Sequence, residues 1–147
     1  MPTYTLNYSN LILSNKIKKK IAVEITNIHK KNTGANTYFA QVLFNKVKKF
    51  DHFIGGKKIT EKQFFLLGQI RSGRPKKIKM NLIKDLTKML QKTSKIKKSN
   101  IWVYIIDLIP HQMIEYGEFL PISGKEKEWF NKLNKTLRDK LLKIQSK

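Results

Sequence analysis

The chain has 147 residues, is 40% apolar, contains no cysteine and carries a formal net charge of +21. Its 8 Phe, 5 Tyr and 2 Trp suffice for a real core, which excludes an intrinsically disordered chain, and the length points to one domain. The missing cysteines exclude a disulfide framework, a thiolate metal site and a cysteine nucleophile; no apolar run reaches the roughly 20 residues that span a bilayer.

The first 15 residues, MPTYTLNYSNLILSN, lack a basic leader and a long apolar segment, which reads as cytoplasmic. Residues 3–8 alternate apolar and polar, the pattern of a half-buried strand. Ser14 is placed to cap a helix running to about Asn32, with Ile17, Ile21, Ile25 and Ile28 as its apolar stripe and Gly34 as its left-handed stop. Residues 38–45, YFAQVLFN, read as a second strand. A polar connector follows, with a turn at Gly55-Gly56. Residues 63–71, QFFLLGQIR, read as a third strand, and Pro75 sits at the first turn of a helix carrying Ile78, Leu82, Leu86 and Leu90. Residues 101–108, IWVYIIDL, form the fourth strand, apolar on both faces, so both faces are expected to be covered. Met113–Leu120 reads as an extended tail, and one amphipathic helix with Trp129, Phe130, Leu133, Leu137 and Leu141 ends the chain.

Strand–helix–strand therefore occurs twice, at a period of about 60 residues, and each unit needs a right-handed crossover between parallel strands. The expected fold is α+β with α/β-type units. Tandem β-α-β repeats (about 2–45 and 63–108) form a four-stranded mixed sheet with two helices on one face, and 109–147 is an extension. Two helices cover one sheet face only, which calls for subunit association.

The charge reads as compositional. Of the 31 cations only Arg71, Arg74 and Arg138 are Arg, and Lys, Ile and Asn together make 57 of the 147 residues, the drift of an AT-rich genome. The lysines are spread along the chain, without an arginine-rich arm or a nucleic-acid motif. A solvated coat is favoured over a polyanion-binding surface, which stays as the reading from another class.

Six residues are candidates for chemistry. Pro2 would become a secondary-amine terminus, an acid or base, once Met1 is removed. Arg71 and Arg74 survive against the lysine drift and flank Ser72-Gly73 at a strand-to-helix junction, where forked donors suit a planar carboxylate. Removing either is expected to damage catalysis with little change in stability. His29 borders the apolar stripe of its helix, as a packed core residue or as a ligand. Glu115, one of only 10 acids, lies between Ile114 and Tyr116, where desolvation favours acid–base work; a salt bridge is the bland alternative. Tyr104 alternates with Trp102 and Ile106 on one strand face, by default as aromatic packing. No His or carboxylate stands at a metal-binding spacing, so no metal or cofactor is expected.

With PTYTLNYS, ITNIHKKNTG, FAQVLF, GQIRSGR, IWVYIIDLIPHQMIEYGEFLP and EWF, nearly the whole chain resembles the tautomerase superfamily, specifically its cis-3-chloroacrylic acid dehalogenase group. The resemblance implies a homotrimer and matches Pro2 to the amino-terminal proline, Arg71 and Arg74 to the carboxylate-binding arginines and His29 to the helix histidine. It also matches Tyr104 to the strand tyrosine and Glu115 to the water-activating glutamate. The implied activity is water addition to a small unsaturated carboxylate, with loss of halide giving malonate semialdehyde; keto–enol tautomerisation with Pro2 as base is the alternative.

Overall fold

Ser14 starts the first helix as its chemistry demands. In the computed structural model, which describes residues 2–145, the Ile17 N–H donates to Ser14 Oγ at 3.3 Å. Helix α1 spans Asn15–Thr33 and stops at Gly34, whose φ of 71° lies in the left-handed region that glycine enters without strain. It follows strand β1 (Thr3–Ser9) and leads to strand β2 (Gln41–Lys46). The second strand is therefore shorter than expected: Thr37–Phe39 is a turn of 3-10 helix that buries the rings of Tyr38 and Phe39. The polar connector holds a small hairpin, β3 (Phe53–Ile54) and β4 (Lys57–Lys58), closed by Gly55-Gly56 with both φ angles positive. Next come β5 (Gln63–Arg71), α2 (Lys76–Ser94) and β6 (Ile101–Leu108), with Pro75 as the N-cap of α2 rather than inside its first turn.

The four long strands form one sheet in the order β2-β1-β5-β6. β1 runs parallel to β2 and β5 parallel to β6, while β1 and β5 pair antiparallel. This is two crossover units joined at their first strands, the expected mixed sheet. Tyr4 and Leu6 of β1, Phe64, Leu66 and Ile70 of β5, Ile21 and Ile25 of α1, and Leu82, Leu86 and Leu90 of α2 are all fully buried in one core.

The other sheet face stays bare within the chain. Thr3, Thr5 and Asn7 point to it from β1, Gln41, Leu43 and Asn45 from β2, Phe65, Leu67 and Gln69 from β5, and Trp102, Tyr104 and Ile106 from β6. None of these residues is charged, although 28% of the chain is. The fourth strand is thus covered on one face only, by the packing of Val103 and Ile105, whereas Trp102, Tyr104 and Ile106 are 41%, 52% and 44% exposed.

After β6 the chain departs from a plain extended tail. A hairpin, β7 (Ile114–Glu115) and β8 (Glu118–Phe119), turns through Tyr116 and Gly117 at φ 57° and 84°. The expected final helix is two, α3 (Glu126–Lys132) and α4 (Lys135–Gln145). Leu133 breaks the run with an extended ψ of 149°, and Asn134 Oδ1 caps the second helix by accepting from the Leu137 N–H at 2.9 Å. The break drops Leu133 and Leu141 into a second core with Tyr38, Phe39 and Leu120. Residues 146–147 of the expected extension, and Met1, whose removal is expected, lie outside the described residues.

Candidate active site

Tyr4 points from β1 into the helical layer, and its hydroxyl meets Nδ1 of His29 on α1 at 2.8 Å, the rings edge to face at 5.8 Å. Gly68 makes the room, because a Cβ there would stand 2.6 Å from Cε1 of Tyr4. Burial, with Arg74 and Arg71 adding positive charge, drives His29 down to about 3. Burial raises Tyr4 well above its usual range, and the pull of Arg74 only partly opposes it. At neutral pH the imidazole is therefore neutral and the phenol protonated. The two share one hydrogen bond, and in the tautomer in which Tyr4 donates to Nδ1 the ring proton sits on Nε2.

Arg74 sits in the turn between β5 and α2, half-buried. It lines a cleft of about 570 Å³ with the end of α1 at Thr33–Asn36, Tyr38, Glu126 and Phe130. Its Nε is buried without a hydrogen-bond partner among the described residues. Burial and then Arg71 lower its pKa, against Glu126 and Tyr4, and the guanidinium remains a cation.

Arg71, at the end of β5, is 1% exposed. One terminal nitrogen donates to the Pro121 carbonyl at 2.7 Å and to that of Ile122 at 3.4 Å, and the other donates to the carboxylate of Glu126. Burial alone would raise the Glu126 carboxyl, but the hydrogen bond and charge of Arg71 outweigh it and hold the group below its ordinary range. The expectation that Arg71 could be removed with little change in stability therefore needs correction. The residue is a buried tie between the sheet and the C-terminal segment.

Glu115 is carried by the β7–β8 hairpin, which is anchored where the Tyr116 hydroxyl donates to the Tyr38 carbonyl. It lines a second cleft, of about 530 Å³, with Thr3, Gln41, Gln69, Leu108 and Tyr38. Tyr38 is common to both clefts. Pro2 is buried beside this second cleft, next to Thr3, and its carbonyl accepts from the Gln41 N–H at 2.9 Å. Tyr104 lies apart on the bare sheet face, edge to face with Phe65 at 5.0 Å, in a shallow depression with Trp102 and His52.

Within one chain the fold thus brings together Arg71, Arg74 and His29, sets Glu115 and Pro2 in the adjoining region, and leaves Tyr104 outside. Sequence reasoning missed three participants. Glu126 was detectable as one of only 10 acids, opening a helix. Tyr4 and Tyr38 fell only within expected strands, 3–8 and 38–45, and no pattern marked their contacts. Among the described residues no group of three or more His, Asp or Glu could hold a metal ion, and no helix is long and apolar enough to cross a membrane.

Residues 1–135 match the Tautomerase_3 family model, described as "Putative oxalocrotonate tautomerase enzyme". N1, a member of the cis-3-chloroacrylic acid dehalogenase (cis-CaaD) family, superposes with a TM-score of 0.91 at 28% identity, over 96% of this chain and 99% of that one. F6 fused 4-OT, a wild-type asymmetric trimer, superposes at 0.70 with 16% identity, over 78% of this chain and 94% of its own. The macrophage migration inhibitory factor-like protein of Entamoeba histolytica does so at 0.67 with 21% identity, over 81% and 98%. These last two establish likeness of fold alone. No curated protein sequence matches the chain. With its tandem β-α-β sheet and the family match over most of its length, the chain belongs to the Tautomerase_3 family of the tautomerase superfamily, an enzyme family, and resembles its cis-3-chloroacrylic acid dehalogenase group.

Proposed function

We propose that this is a cytoplasmic, single-domain, proline-dependent enzyme for small unsaturated carboxylic acids, adding water at C-3 of a 3-substituted acrylate. One observation carries the reading: the half-buried Arg74 guanidinium stands beside the neutral Tyr4–His29 pair, and Tyr38 alone is shared with the cleft of Glu115. The superposition on a cis-CaaD family member supports the same branch.

In this reading Arg74, backed by Arg71, holds the substrate carboxylate with charged forked donors, and neutral His29 contributes its Nε2–H. Glu115 takes a proton from water as the oxygen bonds to C-3. The ammonium of Pro2, freed by loss of Met1, protonates C-2. For a 3-haloacrylate the adduct then loses halide and a proton, leaving malonate semialdehyde. Tyr104 helps the water only if another copy brings it there, since in one chain it occupies a separate depression. The reading therefore includes a homotrimer, as in the trimeric fused 4-OT.

A second reading, keto–enol tautomerisation with neutral Pro2 as base, draws on the separation of Glu115 from the arginine cleft, because it does not need Glu115. Steady-state kinetics of wild type and Glu115→Gln on a 3-haloacrylate and on phenylenolpyruvate separates the two. Hydration should fall by about 10²–10⁴-fold, the usual worth of a positioned base, while tautomerisation persists. Parallel losses would make Glu115 structural or shared and remove the case for water addition.

A further inference from the structure

The carboxylate of Glu126 already occupies one of the two arginines that a substrate carboxylate would meet. Both terminal nitrogens of Arg71 are engaged, one by the Pro121 and Ile122 carbonyls and the other by Glu126. At 1% exposure Arg71 has no solvent-facing edge left for a ligand. Arg74 differs in lining the cleft, and no described residue accepts from its Nε, which like that of Arg71 is buried without a partner. Glu126 lines that same cleft and interacts electrostatically with Arg74. The cleft therefore offers one guanidinium and, beside it, a carboxylate already paired with Arg71 instead of a second open donor. A second carboxylate on the ligand would find no open donor there and would face the Glu126 carboxylate, its charge partly offset by Arg71, in a partly desolvated place where like charges count for more than in water. Lys127 also lines the cleft, but its side chain is exposed, and an exposed ammonium compensates weakly.

We propose that Glu126 is a specificity-determining residue: as a built-in carboxylate on Arg71, it restricts the cleft to small monocarboxylates held by Arg74 and disfavours dicarboxylates. The proposal deepens the functional reading, since it assumes that this cleft takes the substrate carboxylate, but it concerns binding and not the reaction that follows.

The experiment uses two unreactive acids of equal chain length, butanoate and succinate. Each is titrated into wild type, Glu126→Gln and Glu126→Asp, following the Arg74 Nε–H resonance by ¹⁵N NMR. The chain has three arginines, so an Arg74→Lys sample assigns the signal. Wild type should bind butanoate more tightly than succinate by about tenfold or more, Glu126→Gln should abolish or invert that preference, and Glu126→Asp, which keeps the charge, should retain it. A residue that merely props Arg71 would weaken both acids alike in Glu126→Gln. The proposal is overturned if wild type binds succinate as well as butanoate, if neither acid moves the Arg74 signal, or if Glu126→Gln leaves the preference intact. Should Glu126→Gln not fold, the wild-type preference decides. A wild type that prefers butanoate yet turns over no unsaturated acid would defeat the reaction reading and leave this one standing.

Discussion

A histidine held down to about 3, against an ordinary value of 6.5, makes folding stability depend on pH. Unfolded His29 binds a proton that the folded residue refuses, so the folded state has its full advantage above pH 6.5 and loses it as the pH falls toward 3. Glu126 acts in the same direction at lower pH. Its carboxyl lies below 4.5 when folded, so its contribution is complete above that value and is lost as the pH falls through the folded one. Between pH 6.5 and 4.5 His29 is thus the residue of the two that responds. The expected outcome is a thermal midpoint that declines as wild type is acidified through this interval. His29→Asn should lower the midpoint at pH 7 through lost packing and flatten the slope. A wild-type midpoint that is level across the interval would show that folded His29 accepts a proton, and the neutral-donor role would go with it.

Arg71 binds one element to another, and its effect belongs at that scale. The end of β5 is fastened by this side chain to the segment leading into α3, over a contact that spans 55 residues of sequence. Arg71→Ala should strip Glu126 of its partner and leave the Pro121 carbonyl without a donor, while that of Ile122 keeps the Lys125 N–H, at a cost of about 3–5 kcal/mol for a buried ion pair broken on one side. Arg74→Ala should stay within about 1 kcal/mol of wild type, since it holds no described structural bond. Urea unfolding of both variants checks the contrast, and equal stabilities would sink it. The sequence placed both arginines at their junction but could not distinguish them, because the difference lies in Pro121, Ile122 and Glu126, far away along the chain. The regular elements were legible: Gln63–Arg71 and Ile101–Leu108 follow from apolar runs, and α1 from Ser14 and Gly34, all local signals. The break at Leu133 was not, since its apolar side chain continues the helical stripe and only the second core decides which way it turns. The 3-10 turn at Tyr38 and Phe39 failed for the same reason: two aromatic residues before a strand read as strand until their packing partners are known.

At the scale of the whole molecule, the lysine coat and the bare sheet face pull in opposite directions. Apart from Arg71, buried at the end of β5, every residue that the four strands turn toward the bare face is uncharged, and Leu43, Trp102, Tyr104 and Ile106 are each more than 40% exposed there. A patch of that kind in a chain of net charge +21 is what a second copy would cover. Yet bringing like-charged subunits together costs electrostatic work, and salt reduces it: the screening length shrinks from about 30 Å at 0.01 M to about 10 Å at 0.1 M. Assembly driven by the apolar face should therefore tighten as salt rises, the reverse of binding to a polyanion, which loosens as counterions return. Sedimentation equilibrium at low and moderate salt is the measurement, and a trimer whose dissociation constant falls with added salt is the expected result. Trp102→Glu, which sets a charge on the face along its β6 edge, should give monomers with native far-ultraviolet dichroism. Those monomers should also lose hydration activity, because Tyr104 would then have no neighbour to serve. A wild-type chain that stays monomeric at micromolar concentration in both salts would remove the interface and, with it, the proposed role of Tyr104.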